Sequence, residues 1–197
     1  MKRNIPFLVL ALSLIGVASS AQEVLQVKSV KASIQGTSTL HDWESAITDI
    51  DFRGSIQVEN GIPRIIKDVQ VTIPVKNIKS TEGKMMDNKT WEAFQSDTYP
   101  TITFTVSQSQ VTVDDSKNIT IKAPGKLTMA GTTKPVVVEA RGRLLPGGDL
   151  QIALAQKINM IDFKMKPPTV MMGAIKVGEA VTVVVDLVLN SATRASK

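Results

Sequence analysis

The chain contains no cysteine and a single histidine, His41. The first absence excludes a disulfide framework, a thiol nucleophile and thiolate metal sites. The second leaves His41 as the sole base on which a Ser-His-Asp relay could be built, and its neighbour Asp42 points to the opposite face of an extended chain. The carboxylates show no calcium-loop spacing. There is no phosphate-binding glycine loop, and no pair of carboxylates stands at an informative spacing. We therefore expect no catalytic residue, no metal site and no cofactor. Aromatic residues make up 4% of the chain, and the lysines and arginines behind a net charge of +5 are scattered. That pattern gives nucleic-acid binding little support.

What is present begins with Lys2 and Arg3, an uncharged apolar run over 5–17, and the small residues Ala18-Ser19-Ser20-Ala21. This order describes a secretory signal peptide over 1–21, cleaved after Ala21. The run is short of the roughly 20 apolar residues of a membrane-spanning helix, and no later stretch replaces it. The expectation is a periplasmic or secreted protein, with one domain over 22–197 and no transmembrane span once the signal is removed. With no disulfide to help, a single hydrophobic core must hold it. Monomer and homodimer both remain open.

The stretch 84–107 is the organising one. A short amphipathic helix around 85–95 sets Trp91 and Phe94 one turn apart. Tyr99-Pro100 then stops it, because a residue before proline is driven out of the helical region. A strand follows in which Ile102, Phe104 and Val106 alternate with Thr101, Thr103 and Thr105. Elsewhere the chain reads as strands. Two short ones are expected over 24–30 and 32–40, with a break at His41-Asp42-Trp43. Next, Ile50, Phe52, Gly54, Ile56 and Val58 alternate with polar residues up to an Asn60-Gly61 hairpin turn. The next strand carries Val69, Val71, Ile73 and Val75 on one face.

Short strands at 111–113 and 119–121 flank the polar turn 114–118. The Ala130-Gly131-Thr132-Thr133 turn joins 126–129 to 136–143, and Pro146-Gly147-Gly148-Asp149 leads to 150–160. The strand 181–189 closes the chain.

Long antiparallel strands, one helix and no alternation of strand and helix argue for an all-β closed antiparallel barrel or a sandwich, and a barrel of about eight strands is the preferred reading. Closure also removes the sticky edges of long strands. The abundance of apolar positions suits an interior that is either filled or hollow enough for one elongated ligand.

Several landmarks occur in order: Gly36-Thr37-Ser38 with His41-Asp42-Trp43, Tyr99-Pro100-Thr101-Ile102-Thr103-Phe104, Leu127-Thr128-Met129-Ala130-Gly131-Thr132-Thr133-Lys134-Pro135-Val136, Asp162-Phe163 and Val177-Gly178-Glu179. This series resembles the YceI-like family over nearly all of the chain beyond its first 21 residues. The resemblance implies an exported, lipocalin-like barrel binding a polyisoprenoid or similar amphiphilic lipid in its interior. The function expected is that of an extracytoplasmic carrier or reservoir for an isoprenoid or quinone-like lipid, without covalent chemistry. Ala130 stands where the family pattern usually has histidine.

The alternative, from a different class, is an envelope-stress or structural protein with a filled barrel that acts through protein partners. Candidate lining residues are Phe52, Ile73, Met86, Trp91, Phe94, Phe104, Val106 and Phe163. The same residues make ordinary core if the barrel is packed. His41 and Trp43 are read as shaping a strand end.

Overall fold

A computed structural model describes residues 21–193; the proposed signal segment 1–21 lies outside the described residues except for Ala21. Eight strands close the barrel: β1 (Ala21–Ser38), β3 (Asp51–Glu59), β4 (Ile62–Pro74), β6 (Thr101–Val113), β7 (Asn118–Met129), β8 (Thr132–Leu144), β9 (Leu150–Asn159) and β11 (Ile175–Thr193). Each pairs antiparallel with its neighbours, and β11 returns to β1. Three short strands lie outside the ring. β2 (Trp43–Ile47) adds to β1, β5 (Ile78–Ser80) to β2, and β10 (Thr169–Val170) to β11. The helix α1 spans Lys84–Ala93.

Several elements differ from the sequence reading. The two short strands expected at 24–30 and 32–40 form one strand, because a bulge at Lys28 takes up the break in alternation. The pattern 50–58 begins one residue later, at Asp51. The break falls at 39–42, and the strands that follow it, β2 from Trp43 and later β5, were not anticipated. Val75 leaves the β4 face and sits, almost wholly buried, in a 3-10 turn. The pieces 102–106 and 111–113 merge into β6, and 119–121 and 126–129 merge into β7. Short polar interruptions are absorbed inside long strands.

The turns follow from local chemistry. Asn60 and Gly61 take φ of 53° and 76°, the doubly positive pair that a tight type I′ hairpin needs. At the β6–β7 turn, Asp114 accepts the Asn118 backbone N–H at 2.8 Å and its side-chain amide at 2.9 Å. These bonds, the side-chain one foremost, hold the Asp114 carboxyl below its usual range.

The landmark motifs meet in space. Trp43 lies flat on Gly36, where an added Cβ would stand 2.4 Å from the indole. Its Nε1 donates to the Thr37 carbonyl at 3.0 Å. Tyr99 covers Gly131 in the same way, again at 2.4 Å. Ala130, where the family pattern usually has histidine, adopts φ of 47° in that turn.

The helix ends where Gln95 turns left-handed (φ 53°) and the Ser96 N–H reaches back to the Trp91 carbonyl at 2.9 Å. Its first turn is tied to β5 by Asp87, a buried carboxylate whose Oδ1 accepts the Ser80 N–H at 2.7 Å. Lys79 Nζ stands 3.8 Å from Asp87 Oδ2 and 4.4 Å from the centre of the Trp91 ring. Asp87→Ala leaves the Ser80 N–H without its partner in a part-buried place. It should cost about 1–3 kcal/mol, and urea melts followed by tryptophan fluorescence would measure that loss. Asp87→Asn keeps an acceptor and should recover most of it.

Candidate ligand-binding cavity

Two apolar clusters occupy the ends of the barrel. At the helix end Phe94, Ile102, Leu127, Met129, Met160, Phe163 and Met165 are buried together. At the opposite end Leu25, Ile56, Ile66, Ile119, Leu150 and Leu189 form the second. Between them lies a waist. Val30, Val71, Val138, Gln156 and Val185 belong to neither cluster and face inward, yet each is only half-buried. Side chains that point inward and still have accessible surface mark a hollow; the cavity it belongs to measures about 290 Å³ and is also bordered by residues of both clusters, among them Met160 and Met165 at one end and Ile66 and Leu189 at the other.

Its wall draws on every barrel strand. Because side chains alternate across a strand, each contributes every second residue, and bulges reset the count. On β1 the inward series runs Val27, Val30, Ile34, stepping over the extra residue Lys28. On β4 it steps from Ile66 to Val69 across Asp68, whose φ is 52°. Among the described residues, no charged side chain lines the cavity. Its polar groups are Ser45, Ser80, Thr90, Ser109 and Gln156. The Ser109 hydroxyl donates to the Ile66 carbonyl at 3.1 Å and is thereby satisfied.

Of the eight lining residues read from the sequence, Phe52, Ile73, Met86, Phe94, Phe104 and Val106 border this cavity. Trp91 and Phe163 do not. Trp91 packs on the outer side of the helix-end cluster and donates from Nε1 to the Ile78 carbonyl at 3.3 Å. Phe163 is buried within that cluster, in a 3-10 turn at Met160–Phe163. A one-turn spacing put Trp91 and Phe94 on similar sides of α1, but only Phe94, at its C-terminal cap, reaches the barrel axis. Val106 borders the hollow and is itself closed in, at 1% exposure.

Sequence reasoning missed much of the wall: Val27 and Val30 on β1, Val181 to Leu189 on β11, and Met160, Met165 and Pro168 at the helix end. Alternation on β11 was the available signal. His41 is exposed in the turn after β1, its Nδ1 2.7 Å from the Asp42 carbonyl oxygen, and it does not line the cavity. The same turn is fixed by Ser38, whose hydroxyl donates to the His41 carbonyl at 2.7 Å.

Among the described residues, the ladder of the wall is interrupted, for three or more residues on both strands, at three places. Residues 106–109 of β6 and 123–125 of β7 are unpaired with each other, as are residues 132–140 of β8 and 154–159 of β9. The third interruption lies beside β1. β1 pairs with β3 only from Ala21 to Val24, and with β2 only from Ala32 to Gly36. Among the described residues, none pairs in a ladder with residues 25–31 of β1 on that side. Residues 51–54 of β3 are likewise unpaired toward β1.

The YceI-like domain model matches residues 18–189. The chain belongs to the YceI-like family. Solved structures agree in fold. The Burkholderia cenocepacia protein BcnA is 19% identical, with 83% of this chain and 99% of that chain covered and a TM-score of 0.66. A polyisoprenoid-binding domain from Saccharophagus degradans, implicated in plant cell wall breakdown, is 12% identical, with 88% and 100% covered and a TM-score of 0.62. A Campylobacter jejuni YceI protein is 21% identical, with 98% and 94% covered and a TM-score of 0.51. No curated protein sequence matches the chain. In this YceI-like protein no helix among the described residues is long and apolar enough to cross a membrane.

Proposed function

We propose that the protein is an extracytoplasmic carrier that holds the chain of a polyisoprenoid or quinone-like lipid inside its barrel and does no covalent chemistry on it. The observation that carries this reading is the apolar cavity inside the barrel, with its half-buried inward side chains at the waist. At about 290 Å³ it stands at the lower limit of small-molecule sites, which run from about 300 to 1,000 Å³. A filled barrel acting through protein partners would need no such space. Family membership supports the reading, as does the fold shared with a polyisoprenoid-binding domain.

The chemistry of the wall sets what can enter. With no cation among the lining residues, a charged head group would be buried unpaired at a large cost. The chain alone, or a neutral head, can go inside. Each buried methylene contributes about 0.8 kcal/mol, so about ten give on the order of 8 kcal/mol before ordering costs. Such a complex survives gentle purification. Organic extraction and mass spectrometry of protein from its native compartment should give one lipid class at near-stoichiometric amounts. Lipid-free protein that also fails to bind added prenyl alcohols or quinones would support the packed structural barrel instead.

The export part of the proposal rests on residues 1–21. Intact mass of the exported protein should place the mature N-terminus at Gln22, and retention of Met1 to Ala21 in that material would overturn it.

A further inference from the structure

The interrupted seam between β1 and β3 lies at the waist. It exists because the chain leaves the barrel there: β2 climbs away along β1, and the linker that follows is pulled toward β5. Thr48 donates its N–H and its hydroxyl to the Asn77 carbonyl, at 2.9 and 3.0 Å, and the Asn77 amide donates to Asp49 at 3.3 Å. Ile50 and Phe52 stand on one bank, Val27 and Val30 on the other, and all four line the cavity. Val27 is nonetheless 37% exposed. On the outside, Arg53 pairs with Asp51 at 3.5 Å, and the bulged Lys28 reaches Asp149 at 2.6 Å. The bulge matters. It turns Lys28 outward and lets Val27 and Val30 both face in, so the bank stays apolar where the ladder is missing.

We propose that this seam is a lateral portal through which the apolar chain of the ligand enters and leaves the waist, sideways through the wall rather than past the packed ends. The proposal rests on the carrier reading for its cargo, while the opening itself is a property of the backbone register. At the helix end a chain would have to displace Phe94, Met160 and Met165, and at the other end Leu25, Ile119 and Leu189, all buried. At the seam it breaks no ladder hydrogen bond, and although the same holds at the β6–β7 and β8–β9 interruptions, Val27 alone among the described lining residues is exposed. An alkyl or prenyl chain is the class that fits, since it offers nothing to the unpaired backbone groups and slides along side chains of its own polarity.

Because the protein has no cysteine, thiols can be placed one at a time. Two arms test the proposal. In the first, the opening is read without any ligand, as the alkylation rate of V27C by fluorescein maleimide against that of L40C, which replaces an exposed turn residue. A portal predicts rates within about tenfold, whereas a closed wall would protect V27C by about a hundredfold or more and overturn the proposal.

In the second arm, Gln26 and Arg53, which flank the seam on the outer face, are replaced together (Q26C/R53C) and bridged by a short bis-maleimide. Uptake of a fluorescent C18 fatty alcohol, followed by stopped flow, should slow about tenfold or more, with the amount bound at equilibrium unchanged. The same reagent on L40C should alter the rate less than about twofold. Slowing by the L40C adduct and not by the bridge would overturn the portal in favour of the helix end. Reactive V27C in a protein that takes up no probe would overturn the carrier reading, and with it any transport through the seam, while leaving the opening in place.

Discussion

Val185→Trp should empty the protein of lipid and leave it folded. Val185 lies on β11 between Val183, which packs on the helix-end cluster, and Leu187, which packs on the other. Its side chain points into the part of the barrel that no neighbour fills. An indole is among the largest apolar groups a side chain can offer, burying about 150–250 Å², and here it has open space to occupy. Overpacking of a full core typically costs about 1–3 kcal/mol, but filling a hollow adds contacts instead, so the melting temperature should hold or rise. Extraction and mass spectrometry should show the lipid content per mole falling about tenfold, the loss expected when roughly two methylene-sized units of burial are denied to the chain. Val106→Trp makes the contrasting case. Val106 borders the cavity but is only 1% exposed, and there the same enlargement should lower stability. A Val185→Trp protein with undiminished lipid would place the ligand outside the waist.

Phe104→Asp should unfold the domain or come close to it, whereas Thr103→Asp should be mild. Phe104 faces the cavity and packs on the helix-end cluster. Its ring lies over Gly125, where an added Cβ would stand 2.7 Å from the ring edge and 2.6 Å from the Thr105 carbonyl. An aspartate there loses the ring contacts and places a carboxylate among apolar groups with no cation in the wall to pair it. An uncompensated buried charge costs about 3–5 kcal/mol, a large part of a total stability of about 5–15 kcal/mol. In a chain of this length that is a fall in melting temperature of roughly 6–20 °C. Thr103 is next along the same strand and points the other way, half-exposed, so its charge stays in water. Calorimetry of the two variants gives the comparison, and equal melting temperatures would show the inward and outward faces of β6 to be wrongly assigned.

The sequence by itself determined the fold class, the closing turns and the inward face of most strands. Each of these depends on short-range physics. Alternation of Ile102, Phe104 and Val106 with threonines can bury only one face, and a one-residue slip would turn all three to water. Asn60-Gly61 needs no distant partner to adopt two positive φ angles, although the helix ends where Gln95 turns left-handed, four residues before the Tyr99-Pro100 stop read from the sequence. The motifs also carried the family, because Gly36 under Trp43 and Gly131 under Tyr99 leave room for no other side chain without movement.

What only the tertiary structure decided is whether the inward residues meet. Periodicity gives the direction of Val30, Val71, Val138 and Val185 but says nothing of the distance across a barrel, which is set by strand number and stagger. Long-range closure therefore separated the packed ends from the hollow waist. It also placed Trp91 and Phe163 outside the cavity and joined two apparent strands into β1 through the Lys28 bulge. The seam between β1 and β3 is invisible in sequence for the same reason: it is a missing pairing between segments on either side of β2, and a local pattern records which groups a strand offers, never which of them find a partner.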